Sequence, residues 1–323
     1  MNVELSSGGI QSFLRAPLRT FDDIPEGTAA VFGVPTDWTL GTRPGTRYGP
    51  RAIRESSTQL AYYLHTARDG QMIDVRNGRQ VQFDAGAGAV VDLSDVPIFP
   101  VDVPRTAESI ATAEAAILRA GAFPVMLGGD HYVTYPAVRA FVEHMQERGR
   151  RCGFIQMDAH FDLVDDNPVF GRHYHGSLTR RIAELAGIRP QNMAWIGING
   201  YVRVEQLEFV ESTGAWAATR QDVRRRGAEA VAAEAIERAA DGCDEIYLTI
   251  DIDVVDGGAA SGAGSINVDG LTPGEFLDCI DVLTGAPLGA IDLVEVSPPL
   301  DPSGYTARLA ALALTNLILS RQA

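Results

Sequence analysis

The chain has 323 residues, 46% of them hydrophobic and 21% charged, which argues against a disordered chain. Its formal net charge of −15 and pI near 4.8 speak against a nucleic-acid or anionic-membrane partner and suit a small cationic substrate. No apolar run reaches the roughly 18 residues of a membrane span, and no basic-then-apolar start reads as a signal peptide. Cys152, Cys243 and Cys279 make no CxxC pair and read as reduced thiols of a cytoplasmic protein.

Residues 1–26, with Gly8, Gly9, Pro17 and Pro25, read as an irregular N-terminal extension. Ala29 to Val34 is an apolar run with a buried-strand pattern. A helix is expected to open at Pro50 and run to about Tyr63, since proline suits the first helical turn. Asn77-Gly78 between strand-like runs from Met72 to Phe83 signals a hairpin. Further strands are expected at Pro124–Leu127, Gly153–Met157, Ala194–Ile198, Glu245–Ile250 and Ala290–Val296. Helices are expected at 106–120, 135–147, 176–187, 203–213 and 227–240, from the capping box Thr272-Pro273-Gly274-Glu275, and at 306–320. The loop Leu163–Tyr174 reads as polar and flexible. Strands and helices alternate, and most strands are apolar on both faces. The expectation is one α/β domain over residues 1–323, a doubly wound, mostly parallel sheet with helices on both faces.

Asp158, His160 and Asp162 alternate at i, i+2 and i+4, so on extended backbone they share one face. Gly128-Gly129-Asp130-His131 and the pair Asp251 and Asp253 also follow expected strands, and Glu295 lies near the end of the strand that opens at Ala290. Ligands of open α/β sheets bind beyond the carboxyl ends of the strands, so these groups are expected to converge. Four carboxylates in one crevice need compensating positive charge, which two divalent cations would supply. Two histidines and four carboxylates suit Mn²⁺, with Ni²⁺ or Zn²⁺ as further options, and no cysteine is near. His65 and His144 have no such company and read as structural.

These residues resemble the ureohydrolase family of arginases, agmatinases and related guanidino-compound hydrolases. Gly128–His131, Asp158–Asp162 and Asp251–Asp256 match its three metal motifs in order, and the segments Arg43–Arg54 and Val294–Pro299 resemble its flanking signatures. The resemblance implies the arginase-like three-layer α/β/α fold. It implies that His131, Asp158, Asp162 and Asp251 hold one Mn²⁺ and that Asp158, His160, Asp251 and Asp253 hold the other, with Asp158 and Asp251 bridging. A hydroxide between the ions would attack the guanidinium carbon, releasing urea and an amine. Glu295 matches the acid that grips the guanidinium, and His175 the histidine that moves a proton, for which a neutral-range pKa is suited. Asp162 belongs with these two on the catalytic side of the site. The family also implies a homotrimer or homohexamer.

Within the family, the loop 163–174 and the segment Gly9–Arg15 resemble the agmatinase branch, and agmatine is the expected substrate. Asp165 or Asp166 could meet its distal ammonium. The rival is a guanidino acid, 4-guanidinobutyrate or 3-guanidinopropionate, whose carboxylate could pair with Arg172 or Arg43. A formimino compound, free guanidine or a non-catalytic role are lesser readings. The family's proline-rich loop after Asp256 is replaced here by Gly257–Gly264, a glycine-rich stretch expected to be mobile and to bear, with Asn267 just beyond it, on substrate choice.

Overall fold

The computed structural model describes residues 11–41, 43–83 and 89–322; Gly8, Gly9 and the first residues of the Gly9–Arg15 segment lie outside them. Each long apolar run becomes a strand because only a sheet covered on both faces can bury it. β1 (Ala29–Gly33) is followed by α1 (Gly49–Thr66), a two-stranded hairpin of β2 (Gln71–Asp74) and β3 (Arg79–Gln82), and β4 (Val90–Asp95). Next come α2 (Val103–Arg119), β5 (Phe123–Leu127), α3 (Thr134–Glu147), β6 (Cys152–Met157), α4 (Leu178–Ala183) and β7 (Met193–Ile198). The rest is α5 (Val204–Thr213), β8 (Trp216–Thr219), α6 (Arg220–Arg226), α7 (Ala228–Ala240), β9 (Glu245–Asp251), α8 (Pro273–Leu283), β10 (Leu288–Val294) and α9 (Tyr305–Leu319).

Eight strands form one sheet in the order β4-β1-β5-β10-β9-β6-β7-β8, and every pairing within it is parallel. Strands β1, β5, β6 and β7 are buried at every residue. One face is covered by α1, α7, α8 and α9, whose Ile53, Val231, Phe276 and Leu314 share a core with Val125 and Ile250. The other is covered by α2, α3 and α4, whose Ile117, Phe141 and Leu178 pack with Phe32, Trp195 and Tyr247. The expected mostly parallel, doubly wound α/β fold is the one observed. The capping box forms as read: Glu275 N–H donates to Thr272 Oγ1 at 3.2 Å, and Thr272 N–H to Glu275 Oε2 at 2.8 Å.

Some elements depart from expectation. Strands β4 and β8 and helix α6 have no counterpart in the sequence reading. β4 carries Asp92 at a fully buried position, tolerable because Arg54 pairs with it at 2.9 Å; the sequence shows only an acid interrupting an apolar run. β8 is a short edge strand in which only Ala218 is buried. The helix expected over 176–187 is a 3₁₀ turn, His175–Ser177, followed by a helix that stops at Ala183. Among the described residues no helix is long and apolar enough to cross a membrane.

Candidate metal centre and active site

The strand order accounts for the site. The four central neighbours β5, β10, β9 and β6 end side by side. Their carboxyl ends deliver His131, then Glu295, then Asp251 and Asp253, then Asp158, His160 and Asp162. Residues separated by more than 160 positions meet because a parallel sheet aligns its strand ends. Glycine makes the approach possible. A Cβ at Gly129 would stand 2.1 Å from the Thr36 carbonyl oxygen, so only glycine lets this turn reach the loop after β1.

Two clusters of donors result. Around His131 Nδ1 lie Asp162 Oδ2 at 3.1 Å, Asp158 Oδ2 at 3.2 Å and Asp251 Oδ2 at 3.3 Å. None makes a hydrogen bond with that nitrogen, which is buried and without a partner. Donors about 2.1 Å from one cation and at right angles to each other stand about 3 Å apart, so this is the spacing of ligands around a shared ion. The second cluster has His160 Nδ1 3.1 Å from Asp253 Oδ2 and 3.3 Å from Asp158 Oδ1. Asp158 thus turns one oxygen to each cluster. His131-Asp158-Asp251 and Asp158-His160-Asp253 each bring ligand atoms close enough to hold an ion. The donor set is nitrogen and carboxylate oxygen; the cysteines are free and lie elsewhere in the fold.

The electrostatics fit the same reading. Burial, then the Asp253 and Asp158 carboxylates, push the Asp251 carboxyl well above its ordinary range. Burial, then Asp251 and Asp130, do the same to Glu295. Acids gathered this way raise one another's pKa, and divalent cations in the two clusters would relieve that repulsion. Asp162 and Glu295 also hold left-handed backbone, with φ of 51° and 65°. Such strain costs about 1–3 kcal/mol per residue and persists where the surroundings fix it, as at functional sites.

Glu295 Oε1 accepts from the His131 N–H at 2.8 Å, so the acid and the ligand position each other. His175 Nε2 accepts from the Gly41 N–H at 3.2 Å, which assigns its proton to Nδ1. Burial, reinforced by the charges of His131 and His160, pushes its pKa down to about 4 rather than leaving it near neutrality. Both residues line one cavity of about 240 Å³, together with His160, Asp162, Asp251 and Asp253.

The other expected substrate contacts lie elsewhere. Asp165 is bound by Arg181 at 2.6 Å and by Arg172 at 2.7 Å. Arg172 therefore spends its charge on Asp165 and on Glu184 at 3.4 Å, Asp166 is exposed outside the cavity lining, and Asn267 accepts from Asn199 at 2.9 Å. Arg43 reaches the Ala263 carbonyl at 3.4 Å. For Asp165, Arg172, Arg43 and Asn267 the reason is shared: neighbouring segments supply partners that a linear reading does not pair. The loop 163–174, expected to be flexible, is tied by reciprocal Asn167–Gly171 hydrogen bonds of 3.1 and 2.7 Å. The glycine-rich loop is likewise anchored rather than loose. Ala260, Gly262, Ala263 and Gly264 are buried, and Ser297 N–H donates to Gly262 O at 2.7 Å. A Cβ at Gly262 would come within 2.9 Å of Asp301 and Thr306, so glycine here serves close packing.

The sequence reading missed Tyr174, Tyr201, Arg203, Gln206 and Ser265, which line the cavity. They come from loops and from the first turn of α5, in no motif. It also missed Gln156, whose Nε2 donates to Asp158 Oδ2 at 2.6 Å. A polar residue inside an otherwise apolar strand was the available signal.

A parallel sheet with two adjoining histidine–carboxylate clusters at its carboxyl edge defines the class: an α/β protein with room for a pair of cations beyond its strand ends. The comparisons agree. The arginase family model matches residues 27–320. A mitochondrial guanidino acid hydrolase from Homo sapiens is 33% identical over 312 residues, covering 96% of this chain and 82% of that protein. A guanidinopropionase from Pseudomonas aeruginosa is 32% identical, covering 96% of this chain and 91% of that one. The crystal structure of a hypothetical agmatinase from Burkholderia thailandensis superposes with a TM-score of 0.80 at 30% identity, covering 98% and 91% of the two chains. The chain belongs to the arginase family.

Proposed function

We propose that this protein is an amidinohydrolase that cleaves a small guanidino compound to urea and an amine. The observation that carries this is the pair of donor clusters sharing Asp158, opening on a cavity that Glu295 and His175 also line. One cation would be held by His131, Asp158, Asp162 and Asp251, the other by Asp158, His160, Asp251 and Asp253. The hard, thiolate-free donor set favours Mn²⁺. Bound there, two divalent cations would supply positive charge and bring the pKa of a water toward neutrality. The Glu295 carboxylate pairs with the guanidinium group and turns its carbon toward the two clusters. His175, neutral with its proton on Nδ1, would first take up at Nε2 the proton lost by the attacking water, in place of the Gly41 hydrogen bond, and as imidazolium give a proton to the leaving amine nitrogen.

Agmatine and the guanidino acids share the reacting group and differ in the charge at the far end. Both remain within this reading. Three unpaired cysteines support a reducing, cytoplasmic setting, and the family resemblance supports one domain over residues 1–323 assembled as a homotrimer or homohexamer.

The test joins metal analysis of the purified protein to a urea-release screen over guanidino compounds. Two metals per chain and urea from at least one substrate are expected. Asp253→Ala should lose one of the two metals and most of the activity. A protein that holds two metals yet releases urea from nothing, or an Asp253→Ala variant with both metals and full activity, would overturn the assignment.

A further inference from the structure

The cavity is asymmetric in charge. Its floor is acidic, with Asp162, Asp251, Asp253 and Glu295. Its lining contains one cation other than histidine, Arg203, and no carboxylate from the loops above the floor. Arg203 follows β7 and immediately precedes α5. It is exposed and makes no ion pair with any described carboxylate, in a chain whose net charge is −15. The arginines of the adjoining loop and helix are committed: Arg172 to Asp165 at 2.7 Å, Arg181 to Asp165 at 2.6 Å, and Arg180 to Glu184 at 3.4 Å. The backbone around Arg203 is fixed, because its N–H donates to the buried Gln206 side chain at 3.2 Å. The positive end of the helix dipole of α5 lies at the same place. Val164, Tyr174 and Val202 give the walls apolar surface for a short aliphatic spacer.

We propose that Arg203 is a specificity-determining residue that binds the carboxylate of a short ω-guanidino acid, so that the substrate is cationic at the floor and anionic at Arg203. This rests on the amidinohydrolase reading above. A guanidinium fork matches a carboxylate through two hydrogen bonds, and it repels the terminal ammonium of agmatine. The acids nominated for that ammonium, Asp165 and Asp166, do not line the cavity.

The experiment is steady-state urea release from 4-guanidinobutyrate, 3-guanidinopropionate and agmatine by the metal-loaded wild type and by Arg203→Ala, Arg203→Lys and Arg203→Glu. Arg203 is exposed, so the variants are expected to fold, and their thermal melts check it. The wild type should prefer a guanidino acid. Arg203→Ala should raise KM for the acid about 10- to 100-fold with kcat nearly unchanged, the loss of one charge-assisted contact. Arg203→Lys should recover part of that loss, and Arg203→Glu should turn the preference toward agmatine. The acid should also raise the melting temperature of the wild type and leave that of Arg203→Glu unmoved. Urea release with a wild-type preference for agmatine, or an Arg203→Ala effect equal for acid and amine, overturns the role of Arg203 and leaves the amidinohydrolase reading standing. Absence of urea from all three and from every other guanidino compound overturns both.

Discussion

Asp158 is held from several sides. Its two oxygens face His131 and His160, and Gln156 donates to Oδ2 from within β6. Gln156 is itself fixed, since its Oε1 accepts from Thr179 Oγ1 at 2.6 Å and from Trp195 Nε1 at 3.1 Å. Such outer partners orient ligands and tune their basicity, and their loss commonly costs 10–100-fold in metal affinity. Gln156→Leu is therefore expected to weaken Mn²⁺ binding by about 10- to 100-fold, read by metal titration of the dialysed protein. Wild-type affinity in that variant would show that the carboxylate needs no such support. On the opposite side, His131 Nε2 meets Thr249 Oγ1 at 3.0 Å, which fixes the ring while Nδ1 faces the carboxylates.

At the scale of the element, α2 presses an acid against the sheet. Glu114 is fully buried, and neither oxygen has a hydrogen-bond partner among the described residues. Burial, with the nearby Asp292 carboxyl adding to it, pushes its pKa well above 4.5. The native state then binds a proton that the unfolded state releases. Its contribution is whole below the unfolded value of 4.5 and is lost as pH rises toward the folded value, so stability falls with pH across that window. Glu114→Leu removes this dependence. It is expected to gain about 1–3 kcal/mol over the wild type at pH 8, with the gain shrinking toward pH 5. Denaturant unfolding at both values checks it; a gain independent of pH would mean that the acid does not titrate in this window.

For the whole molecule, the cations and the fold are linked. Four buried carboxylates converge on two histidines, so divalent cations that bind only the native state would stabilise it by mass action. Chelation should lower the melting temperature, and Mn²⁺ should restore it. At a free concentration 100-fold above Kd the gain is about 2.7 kcal/mol. Asp253→Ala should respond less steeply, since one cluster is broken. A melting temperature indifferent to EDTA and Mn²⁺ would separate the clusters from any metal role.

The layered α/β class and the strands that end in ligand-type residues were legible from the sequence alone. Apolar runs and i, i+2 spacing are local properties, and a parallel sheet turns them into position without further information. The sequence could not place β4 or β8, because a buried Asp92 and a short edge strand take their stability from partners elsewhere in the chain. Nor could it choose among the charged groups around the substrate. Asp165, Arg172 and Asn267 satisfy one another or nearby loops, while Arg203, in no motif, lines the cavity without a counter-ion among the described residues. Only the tertiary structure decided this, because a side chain's availability depends on which neighbours the fold brings within hydrogen-bonding distance.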